Sequence, residues 1–342
     1  MKKEDRRILR HAISIRIMEG FFKETIIPKF YKGAELVDLK LKDQSAYKFK
    51  KAVRYTLKLK YPDGKTETRI IRSNVPSAHQ AWEIKNSDQA MKAIYNNGFD
   101  SGRFQITRPL GHYPKWRMLV YEEYPGKIFT DLLLNDKRDS EKEVLLASNW
   151  VAKFHNLKIK TGRPKTLKRI KDEVGYFVED YKKFSPELQA EGKLILETFL
   201  KRYKKYYKPK NHILIHGDLN SNNIVFDDKN VGVIDFGNAW KFDPFCDVGN
   251  YFVQMELLGW QGRIPLKTVQ KYNRIFLNNY LKKTNQDTKA ARDQINLWKV
   301  WWVMQITAFC VSILVDTKHN REAVQRTIID HTFAEAQRLL KL

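Results

Sequence analysis

The side chains best suited to chemistry lie close together in the second half of the chain. Asp218 and Asn223 lie between the apolar runs Ile213–Ile215 and 224–226, and Asp235 follows a further run at residues 231–234, after a turn at 227–230. Two short strands joined by a turn would bring these three side chains to one end of a hairpin. Carboxylate and amide oxygens are the ligands that Mg²⁺ prefers, often shared with the phosphates of a nucleotide. The stretch therefore predicts a magnesium-dependent site for phosphoryl chemistry.

The spacing of these residues is more specific than their types. The order His-x-Asp-Leu-x-x-x-Asn followed by Asp-Phe-Gly forms the catalytic motifs of protein kinases, and here Gly217 replaces their arginine. Phosphoryl transfer needs a group that accepts or orients the proton of the attacking hydroxyl. An Asp-Phe-Gly triplet alone would be weak evidence. Both elements in order favour catalysis over turn or capping roles for Asp218 and Asp235.

The loop that begins His-Gly-Asp-Leu at His216 resembles that of the aminoglycoside phosphotransferase and choline kinase family, within the protein-kinase-like superfamily. The resemblance extends over most of the chain. Residues 118–126 resemble the family's hinge, residues 150–157 its helix that ends in a Leu-His pair, and residues 243–247 its Asp-Pro-x-x-Asp segment. The resemblance implies a bilobal kinase-like fold and an enzyme that uses ATP or GTP.

The resemblance also implies roles for single residues of the loop. Asp218 would be the catalytic base or hydroxyl-orienting group, and His216 would hold the catalytic loop. Asn223 and Asp235 would bind Mg²⁺, and Asp247 would brace the loop. We interpret His155, at the end of its predicted helix, as a structural histidine.

On the nucleotide side, the resemblance implies contacts from three hinge residues: Glu122, Glu123 and Tyr124. Arg72 stands where the superfamily usually has its phosphate-pairing lysine, and arginine can grip phosphate with two donors. Glu83 is our candidate for the carboxylate that orients Arg72, with Asp88 as its competitor. The loop 43–51 lacks glycine, so we expect Ser45, backbone amides or nearby lysines to meet the phosphates.

Alternating and helical patterns predict the elements that position these residues. We expect strands at 36–42, 52–61, 66–72, 103–109 and 117–122, with one main helix at 78–95. Helical patterns follow at 128–135, 141–156, 170–183 and 186–207. The fold class is α+β: a small antiparallel β-rich N-terminal lobe at 1–121, a hinge at 122–126, and a larger, mostly helical lobe at 127–342.

Composition excludes some classes of protein. With 13% aromatic residues the chain can bury a core, and its two cysteines cannot form a disulfide scaffold, so we expect a cytoplasmic protein. The basic N-terminus has no uninterrupted apolar stretch, so we expect no cleaved signal. Residues 297–315 are the most membrane-like, but their polar residues favour a buried core helix over a transmembrane segment.

The net charge of +24 is uneven along the 342 residues. Residues 1–124 hold 26 basic and 14 acidic side chains, whereas residues 211–342 hold 16 and 13. A protein that binds nucleic acid or an anionic membrane through residues 1–60 and 157–210 is one alternative. We favour a solvated basic surface, expect no obligate nucleic acid, and leave open a weak anionic surface partner and the oligomeric state.

The length of one segment indicates the size of the acceptor. Asp243 follows Asp235 by eight residues, and no Ala-Pro-Glu occurs, which leaves little room for a peptide platform. We therefore predict a small-molecule hydroxyl as acceptor, in a pocket walled by the helices after residue 250. The charge favours a neutral or anionic sugar-like acceptor, although Asp243, Asp247 and Glu256 could form an acidic pocket for an aminoglycoside. A nucleotide-binding pseudokinase with a scaffold role is the other alternative.

Overall fold

The chain forms two compact units. The computed structural model describes residues 3–47, 50–78, 81–135, 139–316 and 322–342. The first unit comprises Met1–Gly126 and Asp227–Asn238, and the second comprises Lys127–Phe226 and Ala239–Leu342. Asp227–Asn238 belongs to the first unit, whereas the sequence placed it in the second lobe, because its strand pairs in parallel with residues 104–106.

The strands are, in chain order, β1 (Glu35–Tyr47), β2 (Lys50–Lys60), β3 (Thr66–Pro76), β4 (Phe104–Ile106), β5 (Pro109–Tyr113), β6 (Met118–Glu122), β7 (Lys127–Ile128), β8 (Ile213–Ile215), β9 (Ile224–Asp227), β10 (Asn230–Val233) and β11 (Trp240–Phe242). The first unit contains an antiparallel sheet in the order β1-β2-β3-β6-β5. The predicted meander of the first three strands is confirmed. In the second unit, β7 pairs with β9 and β8 with β11.

The helices are α1 (Lys3–Ile13), α2 (Ile15–Phe21), α3 (Ile27–Phe30), α4 (Ala81–Ile94), α5 (Phe129–Asn135), α6 (Glu141–Asn156), α7 (Leu167–Lys182), α8 (Pro186–Tyr203), α9 (Phe245–Trp260), α10 (Leu266–Thr284), α11 (Lys289–Asp316) and α12 (Glu322–Leu340). The predicted helix stop after α4 is present, where Gly98 has a φ of 84°. The mostly helical character of the second unit is as predicted.

The core of the first unit lies between the sheet and the N-terminal helices, which the sequence did not predict. Phe22 of the N-terminal segment packs edge-to-face on Tyr55 of β2, with ring centroids 5.2 Å apart. The Tyr55 hydroxyl donates to the carbonyl of Ala12. Because side chains alternate along a strand, Arg72 points to the face of β3 opposite from buried Ile71. One face of the sheet is therefore apolar and covered, and the other carries Arg72, one of the predicted nucleotide contacts.

The core of the second unit is built around α11. Trp298 and Trp301 are buried there, as predicted for core residues. One helix of the described chain, over Lys289–Leu314, is long and apolar enough to cross a membrane by length and composition, and 72% of its most apolar window is buried inside the fold. Within it, the Lys299 ammonium lies 2.7 Å from Glu256 and 2.9 Å from Glu335.

We predict that Lys299→Met lowers the free energy of unfolding by about 3 kcal/mol, because it leaves the buried carboxylate of Glu256 without its cation, whereas Glu335 keeps its pair with Arg338. Denaturant unfolding followed by circular dichroism measures the change. Lys289→Met, at an exposed pair with Asp293 on the same helix, is the matched control and should change stability by less than about 0.5 kcal/mol. Equal effects of the two substitutions would contradict a structural role for the buried pair.

Candidate active site

The catalytic loop of the second unit follows β8 directly. Gly217 has a φ of 77°, in the left-handed region that residues with a Cβ rarely adopt. This conformation explains why glycine stands where protein kinases carry arginine. His216 before it is buried, and its Nδ1 accepts the backbone N–H of Asp218 at 3.2 Å. The contact is internal to the loop, in line with the holding role that the sequence suggested.

A buried carboxylate braces this loop. Asp247 accepts the backbone N–H groups of His216 and Gly217, both at 2.8 Å, one on each carboxylate oxygen. His155 Nε2 lies 3.2 Å from Oδ2 of Asp247, and the hydroxyl of Tyr280 lies 2.9 Å from its Nδ1. The predicted roles of Asp247 as a brace and of His155 as a structural histidine are therefore confirmed.

Amide side chains surround the carboxylate of Asp218. Asn220 donates to Oδ1 at 3.1 Å, and Asn250 of α9 reaches the same oxygen at 3.5 Å. Asn223 donates to the backbone carbonyl of Asp218 at 2.9 Å and to Oδ2 at 3.4 Å. The sequence did not identify Asn220 or Asn250, although Asn250 lies one helical turn after Asp247. Neutral donors orient a carboxylate while leaving lone pairs for a hydroxyl proton.

The two predicted metal ligands belong to different units. Asn223 precedes β9 in the second unit. Its side-chain nitrogen already donates a hydrogen bond to the carbonyl of Asp218, so Oδ1 is the atom that a cation would bind. Asp235 follows β10 in the first unit, with a φ of 60° and an exposed side chain. In the part of the chain that the structure describes, no group of three histidine, cysteine, aspartate or glutamate side chains could hold a metal.

Arg72 pairs with a different carboxylate from the one predicted. Its guanidinium contacts Glu123 of the hinge, which Arg54 of β2 also contacts. Arg54 and Arg72 lie opposite each other on β2 and β3. The predicted orienting residue Glu83 is not the partner of Arg72, and its competitor Asp88 pairs with Lys92. The order of the strands decides this, because β6 lies beside β3 and leads directly into the hinge.

The other predicted nucleotide contacts have these positions. Glu122 accepts the hydroxyl of Tyr31 at 2.7 Å and pairs with Arg108 at 3.1 Å. Tyr124 packs over Gly232, where a Cβ would lie 2.6 Å from its ring, and partial burial raises the pKa of its hydroxyl to about 12. Ser45 pairs with Ala52 in the sheet, but its side chain lies outside the described part.

The three acids that the sequence offered for an acidic pocket are buried and bonded internally. Asp243 accepts the indole N–H of Trp298 at 2.8 Å, and burial raises the pKa of its carboxyl group. Asp247 braces the loop, and Glu256 pairs with Lys299. These contacts leave none of the three lining an open acidic pocket, which corrects that expectation.

A cavity of about 310 Å³ lies in the second unit beside Asp218. Its other described lining residues come from α9, the residue that follows it, α11 and α12, so it lies where the sequence predicted the acceptor pocket. The volume is at the lower end of the range for small-molecule sites, about 300 to 1,000 Å³. The carboxylate of Asp218 therefore lines a cavity of a size suited to a small molecule.

The sequence matches the model of one protein family. The model of the phosphotransferase enzyme family matches residues 43–280. The chain belongs to this family. The predicted resemblance and the predicted class of enzyme, a phosphotransferase, are therefore confirmed. No curated protein matches the sequence.

Solved structures with the same fold support the assignment. An amicoumacin kinase in complex with AMP-PNP, Ca²⁺ and amicoumacin has a TM-score of 0.58 at 12% identity, with 95% of this chain and 96% of that chain covered. A choline/ethanolamine kinase family protein from Mesorhizobium loti has a TM-score of 0.57 at 13% identity, with 95% of each chain covered. The GDP complex of an aminoglycoside 2'-phosphotransferase has a TM-score of 0.53 at 14% identity, with 92% and 98% covered. The predicted α+β kinase-like fold is confirmed.

We predict that Asp247→Ala lowers the free energy of unfolding by about 3 kcal/mol, because two buried N–H groups of the loop lose their acceptor. Thermal and urea unfolding of the full chain measure the loss. Asp172→Ala, at an exposed position of α7, is the control and should leave stability nearly unchanged. A stable Asp247→Ala variant with an unaltered loop would show that the brace is dispensable.

Proposed function

We propose that the protein transfers the γ-phosphoryl group of ATP or GTP to a hydroxyl group of a small molecule. The observation that carries the proposal is the carboxylate of Asp218, which is oriented by neutral amides on a braced loop and lines a small-molecule cavity. The family assignment supplies the reaction class, and the structural neighbours include complexes with AMP-PNP and GDP.

The proposed transfer forms one bond and breaks one. The acceptor oxygen bonds to the γ-phosphorus while the bond from that phosphorus to the β,γ-bridging oxygen breaks, and the nucleoside diphosphate leaves with the bridging oxygen. The hydroxyl proton passes to a carboxylate oxygen of Asp218 and then to solvent. The amides of Asn220 and Asn250 hold that carboxylate in one orientation for the incoming hydroxyl.

The residues present fit Mg²⁺ chemically. Oδ1 of Asn223 and the exposed carboxylate of Asp235 are hard oxygen donors, and Mg²⁺ usually takes few protein ligands with phosphates and water completing its shell. Bound there, the ion would neutralise phosphate charge. The described residues contain no preformed cluster of three acidic, histidine or cysteine side chains, which agrees with a metal site that depends on the nucleotide.

The nucleotide would lie against the open face of the first unit's sheet. Arg72 and Arg54 share the carboxylate of Glu123, and Arg54 also lies 3.6 Å from the exposed carboxylate of Asp43. A phosphate is a natural additional partner for these two guanidinium groups, because they bind it through paired donors. The proposal includes a cytoplasmic location, which is consistent with two free buried cysteines, Cys246 and Cys310.

We predict that Asp218→Ala lowers kcat about 10²- to 10⁴-fold, because the hydroxyl loses its proton acceptor. Release of ADP or GDP in the presence of an alcohol panel measures turnover, and fluorescence titration with a nucleotide analogue should show unchanged nucleotide affinity. The exposed substitution Asp172→Ala is the control. Turnover that survives in Asp218→Ala would refute the assigned base, whereas nucleotide binding without any turnover in the wild type would identify a pseudokinase.

We predict that Arg72→Ala raises the KM for nucleotide about 10- to 100-fold, as expected for the loss of a charged hydrogen bond to phosphate. Arg69→Ala is a close control. Arg69 lies on the same strand, points to the opposite face, is similarly exposed, and pairs with Glu122. Steady-state kinetics at varied nucleotide concentration separate the two variants. Similar KM values for both would place the phosphates elsewhere.

A further inference from the structure

The cavity beside Asp218 is walled by one face of each of three helices. Residues 302, 305, 306, 309 and 310 line it from α11, at the spacing of a single helical face. Residues 254 and 257 of α9, Gln261 directly after this helix, and residues 325 and 328 of α12 complete the described lining. At 1.5 Å per residue, the wall extends about 12 Å along α11. This length accommodates a ring together with a substituent.

The polar part of the lining is almost entirely neutral. Four side chains provide it: Gln254, Gln261, Gln305 and Gln325. Among the described lining residues, Asp218 is the only carboxylate, and there is no lysine, arginine or histidine. Burial raises the pKa of the Cys310 thiol to about 11, so this side chain is also neutral at pH 7. Each glutamine amide both donates and accepts, which matches a hydroxyl group.

One of these amides has an unused acceptor. Oε1 of Gln325 is buried, and no donor among the described residues reaches it. A buried carbonyl oxygen without a donor costs free energy, and a ligand hydroxyl in the cavity would satisfy it. An anionic group could not donate to this oxygen.

The remaining lining is apolar. The indole N–H of Trp302 is already bonded to the carbonyl of Cys246 at 3.0 Å, so its ring contributes apolar surface. Leu257, Ile306 and Ile328 add aliphatic surface. Phe309 also lines the cavity while 66% of it is exposed, so the apolar wall continues to the solvent. Such a wall suits a ligand with an apolar portion.

We infer that the acceptor is an uncharged amphiphilic alcohol, a hydroxyl-bearing ring with an apolar substituent, held by the glutamines and by the Trp302–Phe309 wall. The inference rests on the proposed function, whose acceptor site it specifies. A cationic acceptor would find one carboxylate, which is the catalytic one, and an anionic acceptor would find no cation among the described lining residues. Burying either charge without a partner is costly.

A matched set of acceptors tests the charge. Hexyl β-glucopyranoside is the neutral member, its 2-amino-2-deoxy analogue the cation and hexyl β-glucuronide the anion; methyl β-glucopyranoside lacks the apolar tail. We expect kcat/KM to be at least about tenfold higher for the neutral hexyl compound than for the other three, the size of a desolvated charge or a lost apolar contact. Nucleoside diphosphate release and mass spectrometry of the product measure transfer.

Two variants test the cavity itself. Gln305→Glu should shift the preference towards the amine by about tenfold, because it adds a carboxylate to the wall, whereas Gln270→Glu on the exposed face of α10 should not. Phe309→Ser should abolish the advantage of the hexyl over the methyl glycoside. These changes in ratio cannot arise from a general loss of stability, which alters all four substrates alike.

The outcomes separate this inference from the proposed function. If transfer depends on Asp218 but the wild type prefers a charged acceptor from this set or from added aminoglycosides and choline, the function stands and the inference fails. If neutral alcohols serve but Gln305→Glu and Phe309→Ser leave the preferences unchanged, this cavity is not the acceptor site. If no alcohol in either panel accepts a phosphoryl group, both proposals fail.

Discussion

The hydrogen bonds of one buried carboxylate hold the catalytic loop in place. Asp247 lies in the first turn of α9, where the helix dipole favours a negative charge, and both of its oxygens accept backbone N–H groups of the loop. One turn later on the same helix, Asn250 reaches Asp218. Further along lie Gln254 and Leu257 of the cavity wall. A single helix thus contacts the backbone of the loop and its carboxylate and forms part of the cavity wall.

The chain has a large net positive charge, but the described lining of the cavity contains no positively charged side chain. The buried acids of the second unit are satisfied internally, as the pairing of Glu256 with Lys299 shows. The described residues that line the cavity are neutral apart from Asp218. The chemistry of the acceptor is therefore inferred from the residues that line the cavity, and not from the surplus of basic residues over the whole chain.

Much of the fold could be predicted from the sequence because its patterns are local. The alternation in β2 and β3 and the glycine stop after α4 each depend on a few neighbouring residues. Two features of the fold could not be predicted from neighbouring residues along the chain. The N-terminal helices form a core with the sheet, and the partner of Arg72 depends on which strand lies beside β3. Strand order is a long-range property that spacing along the chain does not reveal.

The residues of the candidate site also fall into two groups: those that the sequence predicts and those that only the structure identifies. The sequence by itself determined the family and the identity of Asp218, Asn223 and Asp235 as candidate catalytic groups, because a catalytic loop is one continuous segment whose chemistry requires certain residue types at set intervals. Only the tertiary structure decided that Glu123, rather than Glu83, holds Arg72, and that glutamines and Trp302 line the cavity beside Asp218. Those residues come from separate helices and strands, and only packing brings them together.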